Sequence, residues 1–348
     1  MIICRTPFRI SFFGGGTDYP AWYRKHGGVV LGGAIDRYCY LTVRYLPPFF
    51  EHRIRVIYSH IENCQTIDDI RHPSVRESLR FMNITRGVEI HHDGDLPARS
   101  GMGSSSSFTV GLLHALHALR GEVVSKQQLA AEGIHMEQEV LKETVGSQDQ
   151  VFAAHGGVNT IHFGISGDIS VRPLTIPRSR LDELNDHLML VFTGINRTAS
   201  DIAGSYVAAI DDRRRELRTL MNLVDEATEL LTSKADIHGF GELLHEAWTA
   251  KKSMGARVTN PEIDAMYEAA RAAGALGGKL LGAGGGGFLL LFVPPDKQAN
   301  IRKRLDKFIH VPFRFERTGS QIIFYEPEPD EPWSNAERGT RDSEQIQS

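Results

Sequence analysis

A segment rich in glycine and serine, residues 95–107, leads directly into an apolar helical pattern. It ends with Ser100, Gly101, Met102, Gly103, Ser104, Ser105, Ser106 and Ser107. Apolar residues then recur at spacings of three and four as far as Leu119. The first N–H groups of a helix lack partners within it and lie at the positive end of its dipole, so they bind phosphate. Serine hydroxyls add donors to phosphate or ligands for magnesium. The segment predicts a phosphate site, although a polar loop with Ser104 as an ordinary N-cap fits equally well.

Two glutamates follow on the next predicted helix, which begins at Ser125 with Gln128 as its capping-box partner. The residues three and four positions from Glu137 are apolar or glycine, whereas those around Glu139 are mostly polar or charged. The pattern therefore predicts that Glu137 faces inward and that Glu139 faces solvent. A buried, unpaired carboxylate is unfavourable, so Glu137 requires a metal ion or a basic side chain as its partner.

Two aspartates adjoin glycines. Asp149 lies shortly after Gly146 and before an apolar stretch, which indicates either a catalytic carboxylate or an Asx-turn. Asp18 follows the run Gly14–Gly16 and Thr17 at the end of the first predicted strand. Glycines leave room for another molecule to approach, and Thr17 and Asp18 can accept hydrogen bonds from hydroxyl groups. A flexible turn, with Asp18 as a helix N-cap, is the alternative.

The elements that position these residues fall into two groups. Alternating apolar residues predict strands at 2–13, 28–46, 53–59, 88–92, 157–163 and 169–174. A polar stretch at 178–187 separates these strands from the second group. In that group the patterns predict helices at about 203–232, 237–254, 261–274 and 296–309. They predict strands at 188–192, 288–293, 312–316 and 321–325. We predict an N-terminal domain of residues 1–184 and a C-terminal domain of residues 185–326. Residues 327–348 have the composition of a disordered tail.

Composition excludes several classes of protein. The 348 residues carry a net charge of −4, so no basic surface for nucleic acid is expected. Three cysteines without metal-ligand spacing are typical of a reducing cytoplasm. We predict neither a signal peptide nor a membrane span, because the sequence opens on a strand-like run and no apolar run approaches about 18 residues. We expect a cytoplasmic protein without nucleic-acid or membrane partners, and the oligomeric state, including a homodimer, stays open.

A second glycine run, Gly282–Gly287, fits the spacing of a dinucleotide-binding loop but leads into a strand, whereas that loop should enter a helix. The signatures that accompany a protein-kinase glycine loop are absent, and Lys279 is not followed by the Ser or Thr of a Walker A motif. We expect this backbone to pass very close to a ligand or to the other domain.

Three motifs in this order resemble the GHMP kinases, a family named for galactokinase, homoserine kinase, mevalonate kinase and phosphomevalonate kinase. The first runs from Pro7-Phe8-Arg9 to Tyr19, the second from Pro97 to Ser105 with Met102 in place of leucine, and the third from Lys279 to Gly286. The resemblance covers residues 1 to about 325. It implies an α+β, two-domain fold, with an N-terminal domain like ribosomal protein S5 domain 2, a ferredoxin-like C-terminal domain and an active site between them.

The resemblance also implies ATP as phosphate donor and Mg²⁺ as cofactor. Residues 100–106 would bind the ATP phosphates, and Ser105 and Glu137 match the magnesium ligands of the family. Asp149 matches the residue that accepts the proton of the sugar hydroxyl, unless it only orients that hydroxyl. Arg9 would lie near Asp149, favour its ionised form and stabilise the transferred group. The sugar loop would comprise Gly15, Gly16, Thr17 and Asp18.

Details of the motifs narrow the range of sugars expected as substrate. Galactokinase has Glu-His where Gly15 and Gly16 stand, so galactose is not expected. The Gly-Gly-Gly-Thr-Asp-Tyr loop, with Val-Gly-Ser-Gln-Asp-Gln and Phe-Thr-Gly-Ile-Asn-Arg further on, is similar to the bacterial D-glycero-D-manno-heptose 7-phosphate kinases. Those enzymes phosphorylate the anomeric hydroxyl on the route to nucleotide-activated heptose for surface polysaccharides. Arg197 would bind the 7-phosphate, or alternatively cap a helix or pair with Asp201.

Two other functions stay open. An anomeric kinase for another sugar, such as fucose, has a similar Gly-Gly-Gly-Thr-Asp loop. A non-catalytic sugar sensor on the same fold should have lost Asp149, Ser105 or Glu137, and all three are present. The residues therefore favour an enzyme.

Overall fold

The computed structural model describes residues 1–195 and 210–327. Within them lie two β-sheets with helices packed against them, which confirms the α+β class. The larger sheet contains β1 (Ile2–Phe13), β2 (Gly28–Tyr45), β3 (Ile54–Ile57), β4 (Ile61–Cys64), β5 (Val88–Gly94), β6 (Val158–Phe163), β7 (Ile169–Pro173) and β12 (Gln321–Tyr325). The smaller contains β8 (Leu188–Phe192), β9 (Gly277–Leu280), β10 (Phe288–Phe292) and β11 (Ile309–Val311).

The larger sheet is built around the long strand β2. One half of β2 pairs with β6 and the other with β5, while β1 runs antiparallel along its opposite edge. In this register Arg9 lies opposite Ala34, in the interior of the sheet. The run Gly14–Gly16 follows the last residue of β1. The pairing therefore brings Arg9 and the glycine turn to one region of the sheet.

Helices α1 (Pro20–His26), α2 (Pro73–Phe81), α3 (Ser104–Leu119), α4 (Lys126–His135) and α5 (Gln148–His155) accompany the larger sheet. Helix α3 packs on β1 and β2 and is covered by α2, α4 and α5. It is buried on almost every side, which explains its nearly continuous run of apolar and small residues. Helix α4 continues as a π-helical turn, Met136–Val140. The serine loop, Glu137 and Asp149 thus lie on elements that pack against one another.

The other α-helices within residues 1–195 and 210–327 are α6 (Arg178–Asp186), α7 (Arg214–Thr232), α8 (His238–Ser253), α9 (Pro261–Ala272) and α10 (Gln298–Arg304). The smaller sheet is antiparallel, in the order β11-β8-β10-β9. Helix α8 covers β9 and also reaches β1. Its Phe240 packs edge-on against Phe12 and Phe13, with ring centroids 5.3 and 5.2 Å away. Helix α8 therefore joins the smaller sheet to the larger one.

The end of the chain departs from the sequence expectation. Residues 185–326 were assigned to the C-terminal domain, yet β12 pairs antiparallel with β1, with Ile2 opposite Tyr325. This pairing occupies backbone groups along an edge of β1 that would otherwise be unpaired. The strand predicted at 312–316 is not formed; those residues contribute only a bridge between Phe315 and Ile35. The boundary proposed after residue 184 falls within α6.

No helix within residues 1–195 and 210–327 is both long and apolar enough to span a membrane.

Candidate active site

The loop between β5 and α3 turns at two glycines. Gly101 and Gly103 have φ angles of +79° and +73°, a region that favours glycine, and Gly103 is the N-cap of α3. A Cβ on Gly103 would lie 3.3 Å from Arg9 Cγ and 3.4 Å from Asp149 Oδ2. The N-terminus of α3, with its free N–H groups, therefore lies directly beside Arg9 and Asp149.

The predicted ATP-binding residues of this loop differ in exposure. Ser100 and Met102 are fully buried, so their side chains point into the protein. The Ser104 hydroxyl accepts a hydrogen bond from the Arg99 N–H at 3.1 Å. Ser105 is exposed. The backbone N–H groups, the Ser105 hydroxyl and the O–H donor of Ser104, which this hydrogen bond leaves unused, are available to a phosphate here.

Arg9 and Asp149 form a bidentate ion pair. Arg9 Nε lies 2.8 Å from Oδ1 and Nη2 lies 2.6 Å from Oδ2. The third guanidinium nitrogen, Nη1, donates to the Gly101 carbonyl at 2.7 Å. The Arg9 side chain is 6% exposed and that of Asp149 is 24% exposed. The carboxylate is therefore the member of the pair that an entering ligand can reach.

Glu137 lies in the π-helical turn after α4. It is fully buried and Glu139 is exposed, so the predicted orientation of both residues is confirmed. Glu137 Oε2 accepts hydrogen bonds from Ser106 Oγ at 2.8 Å and from the Gln150 side-chain amide. Its other oxygen, Oε1, is buried without a hydrogen-bond partner among the described residues. Burial raises the pKa of Glu137 to about 8, although both hydrogen bonds act in the opposite direction.

An unpartnered carboxylate oxygen fits a divalent cation at this position. Mg²⁺ is commonly bound by one or two carboxylates together with substrate phosphates and water. In the part of the chain that the structure describes, no cluster of three or more His, Cys, Asp or Glu could hold a metal. The sequence named Ser105 beside Glu137, whereas the structure places Ser106 there. Successive helix residues point about 100° apart, so the two hydroxyls face different directions.

The turn from Gly14 to Asp18 is held by its own side chains. The Thr17 hydroxyl donates to the carbonyls of Gly14 and Val29, at 2.8 and 3.0 Å, and is fully buried. Thr17, predicted to bind sugar, therefore has its hydroxyl engaged in fixing the turn. Asp18 accepts a hydrogen bond from the Gly16 N–H at 2.9 Å and is 1% exposed.

Gln148 connects this turn to α5. Its side-chain amide donates to Asp18 Oδ2 at 3.0 Å, and its backbone N–H donates to the same oxygen at 3.3 Å. Burial, followed by the charge of Asp149, raises the pKa of Asp18. The acids at positions 18 and 149 are thus linked through one residue that the sequence did not single out.

The second glycine run packs on the phosphate loop. A Cβ on Gly282 would lie 2.5 Å from Gly101 Cα, and one on Gly287 would lie 2.1 Å from the Ser100 carbonyl oxygen. Of the two expectations for this run, the structure shows contact with the N-terminal part of the chain. Nearby, Lys279 Nζ donates to the Phe12 carbonyl at 2.7 Å.

Two family models match the chain. The model described as GHMP kinases N terminal domain matches residues 72–157, and that described as GHMP kinases C terminal matches residues 227–310. The chain belongs to the GHMP kinases. The first match includes the serine loop, Glu137 and Asp149, and the second includes the run Gly282–Gly287.

Individual relatives agree with this assignment. This GHMP kinase is 29% identical to the D-glycero-alpha-D-manno-heptose 7-phosphate kinase of Campylobacter jejuni over 314 residues, 87% of this chain and 92% of that protein. It is 26% identical to the bifunctional fucokinase/GDP-fucose pyrophosphorylase of Arabidopsis thaliana over 86% of this chain, but spans only 31% of that protein. The crystal structure of a D-glycero-D-manno-heptose 1-phosphate kinase from Bacteroides thetaiotaomicron aligns with a TM-score of 0.75, covering 92% of this chain and 98% of that one at 24% identity.

The family and fold expectations are therefore confirmed: the chain is an ATP-dependent sugar kinase with the two-domain GHMP kinase fold.

Kinases of this kind need cations and positioned donors around the phosphates. Besides Arg9, the structure brings two lysines of the C-terminal part, Lys251 and Lys279, to this region. Sequence reasoning missed Lys251, Gln148 and the contact of Ser106. The predicted sugar-phosphate ligand, Arg197, lies outside the described residues.

Proposed function

We propose that this GHMP kinase transfers the γ-phosphoryl group of ATP to the anomeric hydroxyl of D-glycero-D-manno-heptose 7-phosphate, giving the 1,7-bisphosphate and ADP. The observation that carries the reaction is the partly exposed carboxylate of Asp149, held by Arg9 directly beside the N-terminus of α3. The heptose is favoured because the Campylobacter jejuni relative named for it matches nearly the whole of both chains.

The reaction follows from this arrangement. The sugar hydroxyl oxygen attacks the γ-phosphorus, the bond from that phosphorus to the bridging oxygen breaks, and ADP departs. Asp149 accepts the hydroxyl proton as the new bond forms. Arg9 fixes the direction of the carboxylate and places positive charge where negative charge develops. The N–H groups at the start of α3 hold the ATP phosphates.

Glu137 and a neighbouring serine would hold Mg²⁺. The support for this assignment is the buried, unpartnered Oε1 of Glu137, next to the hydroxyl of Ser106 and one residue from that of Ser105. The ion would supply charge neutralisation at the phosphates. We keep Ser105 as a candidate ligand because its exposed hydroxyl lies at the start of α3.

The sugar is assigned to the turn after β1. Gly15 and Gly16 leave the backbone open to an approaching hydroxyl, and Asp18 with Gln148 supplies polar groups behind it. Arg197 is assigned to the 7-phosphate from the sequence alone. A second candidate is an anomeric kinase for fucose, because the fucokinase of Arabidopsis thaliana matches 86% of this chain.

A substrate screen tests the proposal. ADP release by the purified protein is measured with heptose 7-phosphate, unphosphorylated heptose, fucose, galactose and mevalonate, and phosphorus NMR locates the new phosphate ester. We expect heptose 7-phosphate to give the highest kcat/KM and an anomeric phosphate. Preference for fucose would select the second candidate, and turnover of mevalonate alone would refute both.

A further inference from the structure

Lys251 lies in the last turn of α8 and contacts the backbone that leads into the second glycine run. Its Nζ donates to the Leu280 carbonyl at 3.1 Å and to the Gly282 carbonyl at 2.5 Å. Lys252, the next residue, instead lies against the rings of Trp248 and Tyr267 and 3.6 Å from Asp264. Two adjacent lysines therefore have different environments, and only Lys251 contacts the glycine run.

The backbone that Lys251 holds is in contact with the catalytic pair. Gly282 is so close to Gly101 that a Cβ on it would lie 2.5 Å from Gly101 Cα. The Gly101 carbonyl accepts a hydrogen bond from Arg9, and Arg9 binds both oxygens of Asp149. Each step of this path is a direct contact, so the position of Gly282 bears on that of Asp149.

The charge of Lys251 is poorly compensated. Within residues 1–195 and 210–327 it forms no salt bridge, and its two acceptors are neutral carbonyls. Burial and then the charge of Arg9 lower the pKa of Lys251 to about 8, and Asp18 opposes them. Lys279, on β9, is also affected: burial, followed by the charges of Lys251 and Arg9, lowers its pKa. A buried cation of this kind is unfavourable for stability, which favours a functional reason for it.

We propose that Lys251 is a positioning residue for phosphoryl transfer: its ammonium group holds Gly282 against Gly101 and thereby fixes Arg9 and Asp149 at the acceptor hydroxyl. The proposal rests on the proposed function, because it takes the sugar hydroxyl as acceptor. An ammonium group has three N–H donors, and the two carbonyls engage two of them. Loss of its proton removes the positive charge that binds both carbonyl dipoles and loosens the Gly282 turn.

Substitution with a matched neighbour tests this role. Lys251→Met should lower kcat for heptose 7-phosphate by about 100-fold, the loss typical of a small misplacement of reacting groups, with KM changed much less. Lys252→Met, which removes the adjacent ammonium, should leave kcat unchanged. Wild-type kcat should fall above about pH 8, where Lys251 loses its proton. Lys251→Arg should recover part of the activity and lose this alkaline fall, because a guanidinium stays protonated.

Amide hydrogen exchange tests the role of Lys251 independently of which sugar is the substrate. Amides of residues 99–103 and 281–287 should exchange faster in Lys251→Met than in wild type or Lys252→Met, with no sugar present. A wild-type protein inactive on heptose 7-phosphate would refute the proposed substrate and leave this exchange comparison as the test of Lys251. Unchanged kcat, pH profile and exchange in Lys251→Met would overturn the positioning role. If Lys251→Met does not fold, the pH profiles provide the test. The positioning role would be overturned by a wild-type kcat that stays constant to pH 10. It would also be overturned if kcat of Lys251→Arg still fell at alkaline pH.

Discussion

Arg9 Nη1 lies 2.7 Å from the Gly101 carbonyl oxygen, while the same guanidinium binds both oxygens of Asp149. One side chain therefore sets the distance between the phosphate loop and the proposed base. A planar guanidinium can do this because its N–H donors point in fixed directions, whereas an ammonium offers a single point charge. The geometry couples phosphate binding to the orientation of the carboxylate.

Asp149→Asn should lower kcat by about 10²–10⁴-fold, the range for loss of a general base. The amide keeps the shape of the side chain but cannot take the hydroxyl proton, and ATP affinity should change little. Steady-state kinetics and calorimetric titration with ATP measure the two effects. Asp182→Asn, at an exposed carboxylate on α6, serves as the control. Near wild-type turnover in Asp149→Asn would mean that the residue only orients the hydroxyl.

Glu137→Gln should raise the Mg²⁺ concentration needed for half-maximal velocity by about tenfold or more. The amide loses the negative charge that favours a cation, while Ser106 and Gln150 still have an oxygen to contact. Glu139→Gln, at the exposed glutamate two residues away, should have no comparable effect. Titration of activity with magnesium at fixed ATP measures the response. Equal effects of the two substitutions would remove Glu137 as the ligand.

The same titration distinguishes the two serines. If Ser105 is the ligand, Ser105→Ala should shift the magnesium response as Glu137→Gln does, and Ser106→Ala should act only by removing the 2.8 Å hydrogen bond to Glu137. A larger shift in Ser106→Ala would transfer the ligand role to Ser106.

Gly282→Ala should destabilise the protein and lower kcat. The residue has a φ of +72°, for which a side chain costs about 1–2 kcal/mol, and its Cβ would meet Gly101. The close contact should add about 1–3 kcal/mol. Gly121→Ala is the matched control, since its φ of +73° is similar and a Cβ there meets nothing within 4 Å. Denaturant unfolding and kcat are compared in both; equal losses would show that the contact with Gly101 is unimportant.

The spacing of apolar residues was sufficient to predict features that depend on residues close together in the sequence. Spacings of three and four residues correctly separated the buried Glu137 from the exposed Glu139. The same spacings could not choose between Ser105 and Ser106, because both lie in the first turn of α3 and only the packing of the π-helical turn decides which one meets Glu137.

The sequence pattern could not predict contacts between residues that lie far apart in the chain. The approach of Gly282 to Gly101, the hydrogen bonds from Lys251 to Leu280 and Gly282, and the pairing of β12 with β1 all join residues that lie far apart in the sequence. Glycine density at 282–287 predicted a close approach but not the partner. The hydroxyl of Thr17 was predicted to face a ligand, and the structure shows that the backbone of Gly14 and Val29 engages it.

The role of Arg197 is the last expectation to test, and it rests on the sequence, because the residue lies outside the described part of the chain. Arg197→Ala should raise KM for heptose 7-phosphate by about tenfold or more, since a hydrogen bond to a charged group contributes about 1.5–3 kcal/mol. An arginine fork suits phosphate because it can bind two oxygens at once. The KM for ATP should scarcely change.

Comparison of two sugars isolates that contact. With unphosphorylated heptose, wild type and Arg197→Ala should have similar KM values, because the group that Arg197 binds is missing from the substrate. Arg218→Ala, at an exposed arginine of α7, controls for the loss of positive charge from the surface and should behave as wild type with both sugars. An equal increase in KM for the two sugars would indicate that Arg197 supports the fold of the site, and no increase for either would assign the 7-phosphate to another residue.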